Sequence, residues 1–376
     1  MRILAVDIGT GTQDILLFDS SVAPENCFKM VMPSPTAMFA ARVRQAAAAR
    51  QGIVLAGMMM GGGPVGWAVG DHLQQGLPVF ATAEAARTLN DDLAQVEAMG
   101  VALVESGDVS RLGKTNVVLS LRDLDLDAIH TALRAFDIDI HYDGLAVAVL
   151  DHGNAPPDVS DRLFRFDHIR SVIEQYRDGL GQLLAFAYTP PDLPHYLTRM
   201  RSVVESAGDL NVPLVLLDTG AAASLGALED EEVEQHDDVI LLNLGNMHAL
   251  ATHLVGGRVA GLFEHHTGFL TTEKLDLYLQ ALADGSLETA AIFDDMGHGC
   301  YIVERPPMAP GAEAPFLAVT GPRRVLARAS RLHPYFAVPH GDMMIAGCFG
   351  LVRACAARLP QWRDEIERGL GPARWS

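Results

Sequence analysis

The chain has 376 residues, 49% of them hydrophobic and 20% charged, so it can bury a core that offsets the entropy of folding, which excludes a disordered chain. Its 28 Lys and Arg against 47 Asp and Glu leave a formal charge of −19, which excludes the basic footprint of a nucleic-acid binder and attraction to an acidic membrane surface. The four cysteines, at 27, 300, 348 and 355, form no CxxC pair and are too few for a disulfide framework. No apolar leader precedes Asp7, and the longest uncharged stretch, 53–70, is weakened as a membrane helix by six glycines. The expectation is a cytoplasmic protein of two domains that binds neither nucleic acid nor membrane.

The first predicted strand, 3–6, ends at Asp7. Gly9, Thr10, Gly11 and Thr12 make a turn, and 15–18 returns as a second strand, so the chain opens with a hairpin whose tip is polar and glycine-containing. An alanine-rich helix over 38–50 and a buried strand over 53–56 follow. The segment GMMMGGGP comes next, with Pro64 suited to the first turn of another helix. A strand over 78–82, a helix over 84–98, a strand over 101–105 and a helix over 124–136 lead to a strand over 145–150 that ends at Asp151, His152 and Gly153. Helices over 166–184 and 193–207 precede a strand over 212–217, which ends at Asp218, Thr219 and Gly220 before the small-residue helix AAASLGAL.

The run EDEEVEQHDD at 229–238 reads as a solvated linker and sets a boundary between an N-terminal domain, 1–228, and a C-terminal one, 229–376. The second half opens like the first: a strand over 239–242, the turn NLGNMH, a strand over 249–255, a Gly256-Gly257 turn and a strand over 259–263. Helices from 273, a strand over 316–319 ending at TGPRR, a short strand over 335–338 and the helix MMIAGCFGLVRAC complete it. The alternation predicts an α/β architecture. The echo of AVDIGTGTQDILLF in LLNLGNMHALATHL predicts two related domains facing each other across a cleft, where ligands of such folds bind.

DIGTGTQD carries the strongest chemistry. Glycines at 9 and 11 let backbone N–H groups turn towards a phosphate, and Thr10 and Thr12 add hydroxyl donors. Asp7 at the strand end suits Mg²⁺ held through water, and Asp14 either braces the hairpin or faces the same site. In the matching loop, Gly245 and the amides around Asn246 would grip the same phosphates, while Asn243 stands where the first loop has Asp7 and is a poor base. Gly61, Gly62 and Gly63 form either a substrate-anion loop at a helix N-terminus or a close helix–strand contact; no P-loop Lys-Ser/Thr follows.

Asp151 is a general base, a ligand of metal-bound water or a turn cap, and His152 positions substrate. His265 and His266 are adjacent and no ligand spacing pairs them with other residues, so they are assigned to substrate contact, with His298 in the loop that carries Cys300. Gly321 admits a base or ribose to the backbone, and Arg323 offers a plane for adenine.

With these segments in this order, the chain resembles the superfamily of sugar kinases, heat-shock chaperone ATPases and actin. The resemblance implies two ribonuclease-H-like domains across a nucleotide cleft. It casts 7–14 and 243–248 as phosphate loops, 220–228 as a connecting helix, 320–324 as an adenosine segment and 342–355 as a final helix. Within that superfamily, DIGTGTQD, LDHG, DTGAAA, NLGNMHAL, FEHHTG, GHGC and HGDMMIAGCFG are similar to an uncharacterised family often labelled pyruvate-formate-lyase-activating-like. The CxxxCxxC spacing of radical activators is absent. Some superfamily members hold an iron–sulfur cluster between two subunits, which leaves open a homodimer with one Cys300 loop from each. Asn243, where many relatives carry an acid, weakens ATP hydrolysis more than nucleotide binding.

The leading expectation is a Mg²⁺- and ATP-dependent phosphotransferase or ATPase acting on a small molecule. One alternative is a cofactor-biosynthesis enzyme that condenses a phosphorylated or diphosphorylated substrate. The other is a nucleotide-sensing partner or activator protein.

Overall fold

The computed structural model describes residues 1–176, 181–208, 210–303 and 314–372. Three sheets organise these residues. In the first, the apolar runs Arg2–Ile8, Thr12–Asp19 and Phe28–Pro33 form an antiparallel meander, and Gly144–Val149 and Leu214–Asp218 extend it in parallel from the opening strand, with Ala187–Tyr188 at the edge. The second sheet repeats that plan. Asp238–Leu244, His248–Val255 and Arg258–His266 form the meander, and Phe316–Thr320 and Tyr335–Phe336 extend it in parallel, with Gly299–Ile302 on the outer edge.

The two opening hairpins agree residue for residue. Asp7 faces Asp14 across the first, and Asn243 faces Leu250 across the second. Gly9 N donates to Thr12 O at 2.9 Å in one turn, and Gly245 N donates to His248 O at 2.9 Å in the other.

Between the third and fourth strands of the first sheet the chain builds a separate four-stranded parallel sheet from Ile53–Gly57, Val79–Ala81, Ala102–Leu103 and Val117–Leu121, with its own apolar core. Two of its features differ from the sequence reading. The helix expected over 84–98 is two short helices, Ala83–Ala86 and Leu93–Ala98, because the Asp92 side chain caps Ala94 N and starts a new one. Val117–Leu121, not anticipated, pairs with the Ile53–Gly57 strand.

Helices Thr219–Ala227 and Ala346–Arg358 lie in a core shared by both large sheets. Every residue from Gly220 to Ala227 is buried, as expected for a helix apolar on all sides. The two helices approach so closely that a Cβ at Gly226 would collide with the Ala346 carbonyl and one at Gly350 with that of Ala222. The expected helix over 166–184 is Asp161–Gln175 followed by Gly181–Leu184; residues 177–180 lie outside the described residues.

The acidic run at 229–238 is not wholly a solvated linker. Glu229 binds Arg353 at 2.6 Å, and the buried Asp230 accepts from Val338 N at 2.7 Å and from Tyr335 at 3.1 Å. Among the described residues no helix is long and apolar enough to cross a membrane.

Candidate functional site

The two glycine turns point at each other. Ser34, the N-cap of helix Pro35–Ala48, donates its hydroxyl to Thr10 O at 2.5 Å and its amide to Gly11 O at 3.1 Å, which fixes the first turn. Thr267 N donates to Met247 O at 2.8 Å and fixes the second. The tips meet: a Cβ at Gly11 would lie 2.6 Å from Asn246 Cγ, so a larger residue there would displace the Asn246 side chain. Between them is a cavity of about 110 Å³ whose walls include Asp7, Gly9, Thr10, Thr12, Asp14, Asn243, Gly245, Asn246 and Gly321.

The acids of the first hairpin are short of partners. Asp7 Oδ1 accepts from Thr219 Oγ1 at 2.6 Å, and Gly347 at the start of the last long helix packs on its other oxygen. Asp14 Oδ1 is buried and has no hydrogen-bond partner. Burial pushes Asp7 up to about 7, against the pull of Thr219, and burial together with Asp7 pushes Asp14 up to about 8. Two facing carboxylates this far from their ordinary range make a site for a cation or a proton.

In the segment expected to meet adenosine, Gly321 has φ +95°, which favours glycine, and its amide donates to Met343 Sδ at 3.0 Å. Met343 therefore covers the backbone that was expected to receive a base. Arg323 is not among the residues lining this cavity; its amide donates to Leu244 O at 2.9 Å.

A second cavity, about 670 Å³, shares Gly9, Thr10, Leu150, Arg199, Met247 and His248 with the first. Gly61, Gly62 and Gly63 line it, but the Gly61 amide is already bonded to Asp123 at 3.1 Å, so it is not free for an anion. Asp123 also receives Arg199 Nε at 2.7 Å. Asp151, expected as a general base, a ligand of metal-bound water or a turn cap, lines this cavity and is held by backbone. Its Oδ1 accepts Gly153 N at 2.8 Å and its Oδ2 accepts Met200 N at 2.9 Å, so both oxygens hold backbone. Burial raises Asp151 to about 6.

The histidines separate into two groups. His265 is fully buried, with Nδ1 3.0 Å from His266 O and Nε2 3.3 Å from Asp295, and it does not reach the cavity as a substrate contact would. His266 does line the cavity, its Nδ1 donating to Met296 O at 2.6 Å. His298 lies behind the wall, fully buried, with Nε2 3.2 Å from His152 Nε2. His248, at the end of the second turn, joins them with ring centroids 5.0 Å from His298 and 5.6 Å from His152. Burial and nearby positive charge hold His152 down at about 3 and hold His248 and His298 far below their ordinary value, so this group is neutral.

Arg165, fully buried on helix Asp161–Gln175, was not foreseen. It donates to Asp218 at 2.7 Å in the first sheet and to Glu264 at 2.8 Å in the second, and so ties the sheets together beside the cavity. Burial alone would raise Asp218, but Arg165 outweighs it and holds the carboxyl low. No local pattern announces these contacts, since Arg165 and Glu264 are 99 positions apart.

A family model covers residues 60–326, more than half of the chain. The chain belongs to the family described as "Putative pyruvate format-lyase activating enzyme (DUF1786)". No curated protein matches it. Among solved structures it is similar to an Aquifex aeolicus member of the Ppx/GppA family, at 9% identity and TM-score 0.31 over 99% of this chain and 88% of that one. It is also similar to a ROK family transcriptional regulator, a homolog of the E. coli MLC protein, at 11% identity and TM-score 0.25; the match covers 69% of this chain but spans only 37% of the regulator's length. An exopolyphosphatase-like protein matches at 10% identity and TM-score 0.27, over 85% and 65% of the two chains. All these TM-scores lie below 0.5, so the fold is read from strand order and register alone. All four cysteines are free and buried, and burial pushes the Cys300 thiol up to about 12.

Proposed function

We propose that the chain folds as two ribonuclease-H-like domains, 1–228 and 229–376, in the manner of actin-like ATPases, and that it is a Mg²⁺- and ATP-dependent phosphotransferase or ATPase acting on a small molecule. The observation that carries this reading is the facing pair Asp7 and Asp14, at the apex of one of two glycine hairpins that meet tip to tip with the same closing hydrogen bond. The unpartnered Asp14 Oδ1 and the raised Asp7 fit a divalent cation, which both carboxylates would hold. Bound there, Mg²⁺ supplies charge neutralisation to phosphate oxygens.

The chain's own part is positioning. Amides of the two turns and the Thr10 and Thr12 hydroxyls donate to a phosphate, the meeting tips exclude water, and the Arg165 network keeps the sheets in register. Asp151 lines the adjoining cavity and accepts one backbone N–H on each oxygen, which leaves lone pairs to orient an acceptor.

One observation favours a second reading, a cofactor-biosynthesis enzyme acting on a phosphorylated or diphosphorylated small molecule. The 110 Å³ cavity holds a cation and a phosphate group but falls short of the roughly 300–1,000 Å³ typical of ligand pockets, whereas the adjoining 670 Å³ cavity has room for the body of a small substrate. ATP would require the hairpins to part and Met343 to leave Gly321.

Equilibrium binding of Mg-ATP, Mg-ADP and Mg-diphosphate, paired with phosphate release, tests both. Binding of ATP with phosphate release, both lost in Asp7→Asn, is expected. Diphosphate binding alone favours the second reading, and ATP binding without turnover favours a nucleotide-sensing partner. Folded protein that binds none of the three overturns the phosphate-loop reading altogether.

A further inference from the structure

We propose that His152, His248 and His298 form a binding site for a borderline divalent transition-metal ion, best fitted by Zn²⁺, with an open coordination position facing the 670 Å³ cavity. One ligand atom from each residue lies within 4.8 Å of the other two. The 3.2 Å between His152 Nε2 and His298 Nε2 matches two corners of a tetrahedron, since metal–nitrogen bonds of about 2.0–2.1 Å place such corners about 3.3 Å apart. His248 Nε2 is buried and has no hydrogen-bond partner, so the cluster holds a polar atom that the protein itself does not satisfy.

The surroundings have the form of a supported metal site. His298 Nδ1 faces Glu264 at 3.7 Å, and Glu264 is itself held by Arg165. This places a carboxylate behind the imidazole, beyond hydrogen-bond distance of its Nδ1. The His298 backbone is anchored by its amide to Glu264 O at 2.9 Å, and Arg162 holds Gly297 O at 2.5 Å. Imidazole nitrogens suit Zn²⁺, Co²⁺ or Fe²⁺, whereas Mg²⁺ prefers oxygen, so this site and the Asp7–Asp14 pair would select different ions. His152 and His248 line the cavity and His298 backs them, so the remaining position opens towards the space where a substrate would lie. Three protein ligands with one open position is the pattern of a catalytic rather than a structural zinc site.

The test uses the full chain, stripped with a chelator and titrated with Co²⁺. Intense visible d–d bands that saturate at one equivalent and are displaced by Zn²⁺ are expected. They are expected to vanish in His152→Gln and His298→Gln and to persist in Asp7→Asn, which removes a carboxylate of the other site. Should the histidine variants fail to fold, X-ray absorption of the Zn²⁺-loaded wild type decides the matter, with three imidazole ligands expected. Absence of intense bands on folded wild type, bands that survive both substitutions, or fewer than three imidazoles would overturn the site. These outcomes are separate from phosphate binding, because neither Asp7 nor Asp14 is a ligand here.

Discussion

The two hairpins share a backbone and differ in what it carries. Each closes with a 2.9 Å bond from its glycine amide, to Thr12 O in one and to His248 O in the other, and each presents a cross-strand pair to the cleft. In the first hairpin that pair is Asp7 and Asp14; in the second it is Asn243 and Leu250. The position of Thr12, a hydroxyl, is taken in the second turn by His248, an imidazole that turns to His152 and His298. The two copies thus share the facing geometry and differ at a few positions, with a carboxylate pair on one side and an imidazole on the other.

The sharpest way to break this pairing is at Arg165. Arg165→Met leaves Asp218 and Glu264 buried without their cation, so a loss of about 3–5 kcal/mol in denaturant unfolding is expected. Arg111→Ala, at an exposed pair with Asp108, should cost about 0–1 kcal/mol in the same assay.

Asp14→Leu copies the second hairpin into the first. Asp7 and Asp14 titrate near 7 and 8 in the folded chain against an ordinary 3.8, so the folded state binds more protons. Their contribution is therefore complete below about pH 4 and is lost as pH rises through 7 and 8, each group weighing about 1.4 kcal/mol per pH unit at most. Urea melts of the wild type without Mg²⁺ should weaken over that window from this pair. Asp14→Leu should flatten the fall and be the more stable protein at pH 8.

The helix crossing that joins the halves gives a smaller effect. Gly226→Ala drives a methyl into the Ala346 carbonyl and should cost about 1–3 kcal/mol. Gly70→Ala, in open space on a helix, should be neutral or stabilise by up to about 1 kcal/mol. Among the changes meant to weaken the protein, the smallest is Thr219→Val. It removes the 2.6 Å bond to Asp7, should raise Asp7 further as followed by NMR titration, and should cost about 0.5–1.5 kcal/mol.

Much of the framework was legible because it is local. Continuous apolar runs ending at Asp7, Asp151 and Asp218 marked the central strands, and the Gly-Thr-Gly-Thr and Leu-Gly-Asn turns marked the echo between the halves. Pro64 does start its helix. Asn90-Asp91-Asp92 carried a readable stop signal that was passed over: Asn90 Oδ1 accepts Asp92 N at 2.8 Å before the next helix begins. Val117–Leu121 alternates buried and half-exposed residues in a sheet whose other strands lie far along the chain, so its pattern did not stand out.

The candidate site was legible only in part. Asp7 and the glycine turns come from short motifs, whereas Arg165 and the histidine cluster exist only after folding. His152 and His298 are 146 positions apart, and single-sequence spacing rules look for metal ligands a few residues apart. Asp151 shows the converse. A strand-end acid looks the same in sequence whether or not backbone takes its oxygens, as Gly153 and Met200 take those of Asp151.

The most direct test of the hairpin pairing is thermal melting of wild type and Asp14→Leu at pH 8, with and without Mg²⁺ and diphosphate. Ligand at about 100 times its Kd should add roughly 2.7 kcal/mol to the wild type. A rise in Tm that needs Mg²⁺, appears in the wild type and is absent from Asp14→Leu is the expected result. An equal rise in both proteins, or none in folded wild type, would contradict a cation site built by Asp7 and Asp14.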